Sequence, residues 1–307
     1  MYDENTDKYN RWLIISDVHG LIQEFIEFIR LMQKRYKDSI SYCVQLGDFF
    51  KGRNVIQNKK TYTFWKDLSI FKELPFPIFS MKGNEDVNIP DTWYGGMLSV
   101  LPHLTEFQLD RFNSIPLHFF EENGEYIHEL GIKKLIRHNR PRKKEENGYY
   151  PMFDCKYEQN SPISSILDSE NSVDFIFSHV PPYGLLDRTR DAITHKHIRY
   201  TGSKLLRLLI DKRQPRVVFF GHNHYCNYKF FGDMLIVSVD KFCRKLPQNG
   251  DGSYNPNSKE FNGEEIDGFS YCVISVKDES YLIEIFRRNR LVFQYDMFQH
   301  NILYSAL

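Results

Sequence analysis

The sequence contains few of the features that indicate secretion, a disulfide framework or a membrane. Its five cysteines are scattered over 307 residues and form no C-x-x-C pair, which argues against disulfide scaffolding and against a thiolate zinc site. No apolar stretch approaches the ~18 residues of a membrane-spanning helix. The polar N-terminus MYDENTDKYN lacks the apolar core of a signal peptide. We therefore expect a soluble, cytoplasmic protein that binds no membrane.

The sequence also lacks a net charge. Lys+Arg and Asp+Glu each number 40, so the chain as a whole does not attract nucleic acid or an anionic surface. A dense basic run at 137–144 could meet RNA or DNA, but Glu145 and Glu146 follow it at once. We favour a solvated charged loop there, with nucleic-acid binding kept as the alternative. Nothing in the sequence indicates the oligomeric state.

Short apolar runs alternate with helical patterns along most of the chain and then follow one another directly. The predicted strands cover 12–15, 42–46, 77–81, 174–178, 216–220, 234–239, 271–276, 281–288 and 291–295, and the predicted helices cover 21–36, 61–74 and 203–213. This order predicts an α/β sandwich with a mixed sheet. We expect a single domain over 1–307 with insertions around 87–165 and 244–268, the first containing a hairpin that turns at Asn123-Gly124.

Side chains of the metal-binding type follow five of the predicted strands. They are Asp17, His19, Asp48, Asn84, His179, His222 and His224. Residues two apart in a strand point to the same side, and sites in open α/β sheets lie at the carboxyl ends of strands. The motif GHNH alone is equally compatible with two solvated histidines. Imidazole, carboxylate and amide ligands without thiolate suit Mn, Fe, Zn or Ni, and seven of them suit two ions ~3.5–4 Å apart that share a carboxylate.

In this order, the motifs D-x-H, G-D, G-N-x-D, H and G-H-x-H resemble those of the calcineurin-like metallophosphoesterase superfamily. The stretch from HVPPYG through LDR and GS to GHNH is similar to the phosphodiesterase-like branch of metallophosphoesterase-domain-containing proteins. The resemblance implies a four-layer α/β/β/α sandwich of mixed sheets and two divalent metal ions, with Mn favoured. It assigns Asp17, His19 and His224 to one ion and Asn84, His179 and His222 to the other, with Asp48 bridging them, and a metal-bridging hydroxide that attacks phosphorus in line.

The sequence departs from the family pattern at Glu85, where the family usually has a histidine that contacts the phosphate and helps the leaving group depart. A carboxylate repels phosphate unless metal contact or a raised pKa offsets its charge. Two interpretations follow. Glu85 could simply replace the histidine beside Asp48 and Asn84 in an enzyme that prefers good leaving groups. Alternatively, His195 or His197 could supply the proton, although these two could also belong to a solvated loop.

Two arginines are candidate substrate ligands outside the metal ligands. Arg188 and Arg190 could clamp a phosphate, or they could pair with Asp187 and Asp191. We expect a metal-dependent phosphoric ester hydrolase and favour phosphodiesters over phosphomonoesters. The alternatives are a catalytically weak or inactive interaction scaffold, a nuclease and a protein phosphatase of the same fold. Scaffolds usually lose metal ligands, whereas all seven positions here are of competent type, and the sequence G-D-F-F-K-G-R departs from the phosphatase motif G-D-x-x-D-R-G.

Overall fold

The computed structural model describes residues 9–50, 68–86, 94–95, 97–120, 124–138, 150–190, 198–242, 269–277 and 280–306. The first part of the chain forms β1 (Asn10–Ile15), α1 (Ile22–Arg35), β2 (Ile40–Gln45), a 3-10 helix (Leu68–Glu73), β3 (Ile78–Ser80), β4 (Tyr94–Gly95) and β5 (Leu98–Val100). In α1 the apolar residues Ile22, Phe25, Ile26 and Ile29 recur at helical spacing and are all buried, so one face of this helix packs on a core.

The middle of the chain contains β6 (Phe107–Leu109), β7 (Phe112–Leu117), α2 (Gly124–Glu129), β8 (Ile132–Arg137), β9 (Phe153–Tyr157), α3 (Pro162–Leu167) and β10 (Phe175–Ser178). The prediction of a hairpin turning at Asn123-Gly124 was wrong, because Gly124 begins α2 and the next strand, β8, pairs with β9 instead. The insertion around 87–165 stays a prediction, whereas the local structure predicted for it from the Asn123-Gly124 dipeptide was wrong.

The remaining elements are β11 (Arg188–Arg190), β12 (Ile198–Tyr200), α4 (Lys204–Arg213), β13 (Val217–Phe220), β14 (Asn227–Phe231), β15 (Met234–Ser238), β16 (Ser270–Lys277), β17 (Ser280–Arg287), β18 (Arg290–Asp296) and β19 (Asn301–Ser305). Ser203 caps α4, since its hydroxyl accepts a hydrogen bond from the Leu206 N–H at 2.9 Å, and Pro215 follows the helix end. No described helix is long and apolar enough to cross a membrane.

Two mixed sheets form the centre of the fold. The first has nine strands in the order β19-β18-β17-β16-β1-β2-β3-β5-β4, and the second has six in the order β14-β15-β13-β10-β7-β6. In the first sheet β1, β2, β3 and β5 run parallel, and in the second β7, β10, β13 and β15 run parallel. The carboxyl ends of β1, β2 and β3 in one sheet, and of β10 and β13 in the other, carry the loops that contain the predicted ligands.

Three buried clusters define the layers. Phe25 and Phe28 of α1 pack with residues of the outer face of the first sheet. Trp12 and Phe219 belong to a second cluster that joins the inner faces of both sheets. The third cluster joins the outer face of the second sheet to α3 and α4, and it includes Leu209. Helix, sheet, sheet and helix thus stack in that order, which confirms the predicted four-layer α/β/β/α sandwich. The single-domain organisation stays a prediction, since 244–268 lies outside the described residues.

Candidate metal centre

The seven candidate ligands come from five loops that follow β1, β2, β3, β10 and β13. Five of the seven ligands have an unusual backbone conformation. Asp17, His19, Asp48, His222 and His224 all have φ between 47° and 65°. This left-handed region is uncommon outside glycine, and it costs about 1–3 kcal/mol per residue unless the surrounding structure supports it. Such strained backbone clusters at functional sites, where it aims side chains at one point.

Glycines at the site allow the loops to approach one another closely. A Cβ added at Gly221 would lie 1.7 Å from Ser16 Oγ and 2.4 Å from Asp17 Oδ2, and one at Gly83 would lie 2.1 Å from the Asp48 backbone nitrogen. No side chain fits at either position. The glycines of GHNH and GNED are therefore required so that the loops after β1, β2, β3 and β13 can meet.

The first cluster of ligand atoms contains Asp17, His19 and His224. The Nε2 atom of His224 lies 3.2 Å from Asp17 Oδ1 and 3.1 Å from His19 Nε2, and His19 Nε2 lies 3.6 Å from Asp17 Oδ1. One ligand atom from each residue therefore lies within 4.8 Å of the other two. Two imidazoles and a carboxylate at this spacing suit one divalent ion.

The second cluster is centred on Asn84. Its Oδ1 lies 2.9 Å from His179 Nε2 and 2.9 Å from His222 Nδ1. The other ring nitrogen of His179, Nδ1, donates a hydrogen bond to the carbonyl oxygen of Leu46 at 2.9 Å. This bond places the hydrogen of Nδ1 on the Leu46 carbonyl, so that Nε2 is the ring nitrogen directed at the cluster, as in metal-binding histidines.

Asp48 lies between the two clusters. Its Oδ2 is 3.9 Å from His19 Nε2 on one side and 3.5 Å from His179 Nε2 on the other. Its Oδ1 accepts a hydrogen bond from the Glu85 N–H at 2.6 Å, which fixes the carboxylate in place. The Asp48 carboxylate thus lies within 3.9 Å of a histidine ring nitrogen from each cluster.

Burial and mutual contacts shift the pKa values of the carboxyl and imidazole groups at the centre away from those of free side chains. Burial alone would raise the pKa of Asp17, but its interactions with the His19 and His224 rings outweigh burial and hold that pKa well below the ordinary value. Burial lowers the pKa of His222 to about 3, and the neighbouring His179 ring adds to the effect, so His222 is neutral at pH 7. Burial raises the pKa of Asp48, and the nearby Asp17 contributes to the rise. A divalent cation would relieve the cost of holding two carboxylates so close together.

The loop after β3 is held against the loop after β2 by Asp86. This buried carboxylate accepts hydrogen bonds from the N–H groups of Phe49 (3.1 Å), Phe50 (2.9 Å) and Gly83 (2.9 Å). Glu85 is half-buried, and its Oε1 accepts a hydrogen bond from Asn84 Nδ2 at 3.3 Å. This contact orients the Asn84 amide so that its oxygen, rather than its nitrogen, points at the two histidines.

Only some of the other predicted site residues lie in the part of the chain that the structure describes. Arg188 is exposed on β11, and its guanidinium carbon lies 5.6 Å from the centre of the Tyr200 ring. Asp187, one of its suggested partners, is buried and accepts a hydrogen bond from the Gly184 N–H at 2.8 Å. The backbone of Arg190 belongs to β11. His195, His197 and Asp191 lie outside the described residues, as do 139–144 of the basic run and the whole of 244–268.

Two residues at the centre were not identified from the sequence. The ring of Phe119 lies 6.3 Å from that of His179 and 6.4 Å from that of His222, which it stacks against. Asn223, between the GHNH histidines, accepts a hydrogen bond from Thr201 Oγ1 (2.7 Å) and donates one to the Leu186 carbonyl (3.0 Å). The signal for Phe119 was its place just after β7, whose sequence FNSIPL contains a proline and two polar residues and did not read as a strand.

Comparison with known proteins gives one family and several solved structures. The model of the calcineurin-like phosphoesterase family matches residues 11–226. A crystal structure of an unspecified protein has 14% identity, covers 91% of this chain and 99% of its own, and has a TM-score of 0.52. GAP50, the anchor in the inner membrane complex of Plasmodium, has 13% identity, coverage of 97% and 90%, and a TM-score of 0.47. A dimetal phosphatase from Danio rerio has 13% identity, coverage of 92% and 97%, and a TM-score of 0.48. No curated protein matched the sequence.

Proposed function

The chain belongs to the calcineurin-like phosphoesterase family, and from that premise we propose that it hydrolyses phosphodiesters at a centre of two divalent metal ions. Membership supports a metal-dependent phosphoric ester hydrolase. The observation that carries the proposal further is the position of Asp48 Oδ2, 3.9 Å from His19 Nε2 and 3.5 Å from His179 Nε2. A carboxylate between two sets of ligands is the arrangement that a shared pair of ions requires.

The residues present fit two ions. Asp17, His19 and His224 would hold one ion, Asn84, His179 and His222 the other, and Asp48 both. Oxygen and imidazole ligands without thiolate favour Mn²⁺, with Fe, Zn or Ni as alternatives. When bound, the ions would lower the pKa of a coordinated water and neutralise phosphoryl oxygens. The four described cysteines are buried and free, which supports the proposed cytoplasmic location, where thiols stay reduced.

The chain's own side chains prepare this centre for the reaction. Asp17 stays ionised at neutral pH and His222 stays neutral, so both are ready to act as ligands without first losing a proton. The Leu46 carbonyl fixes the His179 ring, and Glu85 fixes the Asn84 amide. These contacts orient the ligands before substrate arrives, which lowers the reorganisation needed during the reaction.

Glu85 supports phosphodiesters over phosphomonoesters. Its carboxylate is half-buried beside Asn84, where it repels an approaching phosphate. A phosphomonoester carries close to two negative charges at pH 7, whereas a phosphodiester carries one, so the repulsion is about half as large for the diester. The general acid stays a prediction, since His195 and His197 lie outside the described residues.

A paired assay tests this function. Bis(p-nitrophenyl) phosphate and p-nitrophenyl phosphate would be compared on protein reconstituted with Mn²⁺. We expect faster turnover of the diester, and its loss by about 10³-fold or more in Asp48→Ala. Asp110→Ala is the matched control, because Asp110 has a similar φ of 57° in the turn between β6 and β7, away from the centre. No turnover of either substrate with metal bound would contradict the proposal and favour an interaction scaffold.

A further inference from the structure

Two arginine–tyrosine pairs lie on the surface beside the GHNH turn. We propose that this surface, the Arg–Tyr platform (Arg137, Tyr183, Arg188 and Tyr200), binds single-stranded nucleic acid and thereby selects it as the phosphodiester substrate. The inference rests on the proposed function, which it deepens by naming a substrate class. It uses neither the metal ligands nor residues 139–144 of the basic run.

The first pair belongs to the two-stranded ribbon of β11 and β12. Arg188 and Tyr200 lie directly opposite each other in this antiparallel pair, and the guanidinium carbon of Arg188 is 5.6 Å from the centre of the Tyr200 ring. Tyr200 is 61% exposed, the largest exposed fraction among the large hydrophobic side chains of the described residues. A tyrosine held by a neighbouring cation and still open to solvent offers a flat surface on which another ring can stack.

The second pair lies close to the first. The guanidinium carbon of the exposed Arg137 is 5.2 Å from the centre of the Tyr183 ring. The backbone N–H of Tyr183 donates a hydrogen bond to the Ser203 carbonyl at 3.0 Å, and Ser203 is three residues from Tyr200. The backbone of the second pair therefore contacts the segment that directly follows the first pair's Tyr200.

Both pairs are attached to the candidate metal centre. Tyr183 follows His179 by four residues. Thr201, the residue after Tyr200, donates its hydroxyl hydrogen bond to Asn223 Oδ1 at 2.7 Å, and Asn223 lies between His222 and His224. With Cα–Cα steps of about 3.8 Å, the backbone of the platform begins roughly 15 Å or less from the candidate ligands. A strand of a few nucleotides could occupy the platform with one of its phosphodiesters at the centre.

The chemistry of the platform favours unpaired bases. Every nucleobase has a π-face that stacks on tyrosine, while arginines contact the phosphates, and proteins that bind single strands combine these two features. A phosphopeptide would use the arginines but would gain little from the exposed ring of Tyr200. A duplex keeps its bases stacked within the helix and could not use the rings either.

Fluorescence anisotropy with a labelled 12-nucleotide single strand and its duplex tests the inference on the full-length protein, with and without Mn²⁺. We expect the single strand to bind more tightly than the duplex. Tyr200→Ala should weaken binding by about 5- to 100-fold, whereas Tyr200→Phe should keep it, since the ring remains. Arg188→Ala should reduce the steepness with which the logarithm of the binding constant falls with the logarithm of salt concentration by about 0.7, the value for one phosphate of a single strand.

The matched control is Tyr304→Ala, because Tyr304 is 45% exposed on the edge strand β19. It should bind the single strand and turn over bis(p-nitrophenyl) phosphate as the wild type does. Equal binding of duplex and single strand would overturn the inference. Equal binding of the single strand by Tyr200→Ala and the wild type would also overturn it, provided that thermal unfolding shows both proteins to be folded. Wild-type turnover of bis(p-nitrophenyl) phosphate without single-strand binding would overturn it and leave the proposed function standing. Single-strand binding without turnover of bis(p-nitrophenyl) phosphate would keep the platform as a binding surface but would contradict the proposed function and, with it, the assignment of the single strand as substrate.

Discussion

Replacing Arg207 by methionine tests how the segment after His179 is anchored. Arg207 is buried in α4, and its Nε donates a hydrogen bond to Asp211 Oδ1 at 2.8 Å. Its other nitrogens donate to the carbonyl oxygens of Tyr183 (3.2 Å) and Tyr150 (3.3 Å). One guanidinium thus satisfies a buried carboxylate and holds the backbone at Tyr183, four residues after a candidate ligand.

The expected cost follows from burial. Removing one partner of a buried ion pair costs about 3–5 kcal/mol, because the remaining charge loses its counter-ion without regaining water. Methionine is similar in length and apolar, so the cavity that it leaves adds little. Asp211 would keep its hydrogen bonds from the N–H groups of Met152 and Phe153, which limits the cost to this range. Since domains are stable by about 5–15 kcal/mol, the variant should lose a large fraction of its free energy of unfolding.

Equilibrium unfolding in urea measures this loss. The matched control is Arg216→Met, because Arg216 Nε lies 3.5 Å from Asp174 Oδ1 and its side chain is 49% exposed. A surface pair of this kind contributes about 1 kcal/mol or less. If both variants lost the same free energy of unfolding, or if Arg207→Met lost less than about 1 kcal/mol, the anchoring argument would be refuted.

Three further predictions concern the centre and its surroundings. Gly221→Ala should lose at least about tenfold in Mn²⁺ affinity by calorimetry, since a Cβ would overlap Ser16 Oγ and Asp17 Oδ2; wild-type affinity would contradict the packing described. Burial raises the pKa of Asp240 from 3.8 to about 6, so the folded protein holds this proton more tightly than the unfolded chain, and stability falls as pH rises from about 4 to about 6. Asp240→Asn should remove this part of the fall in urea midpoints between pH 4 and pH 7, and an unchanged fall would count against it. Glu85→His should raise turnover of p-nitrophenyl phosphate relative to the diester, because it removes a negative charge and adds a proton donor; an unchanged ratio would show that Glu85 does not set the preference.

The elements that position the centre were predictable because their sequences are strongly periodic. The apolar runs of β1, β2, β10 and β13 are buried on both faces and read as continuous hydrophobic stretches, as strands covered by layers on both sides do. Their loops carry the candidate ligands, so the order of motifs alone predicted which strand ends would meet. The fold and the family are confirmed, whereas the ligand roles stay predictions.

The parts that were missed depend on contacts between distant segments. Strand β7 contains Asn113, Ser114 and Pro116, yet it pairs in parallel with the buried β10, and tertiary pairing overrides its weak local pattern. The Asn123-Gly124 dipeptide indicated a turn, but the residues after it form α2. The Thr201–Asn223 hydrogen bond joins residues 22 apart, and no spacing in the sequence indicates it.

The metal content of the purified protein tests the central claim most directly. Isothermal titration with Mn²⁺, checked by elemental analysis, should give two ions per chain for the wild type. Asn84→Ala should keep one ion, because the cluster of Asp17, His19 and His224 remains, and Asp48→Ala should weaken both sites. A wild-type stoichiometry of one or zero would contradict a two-metal centre.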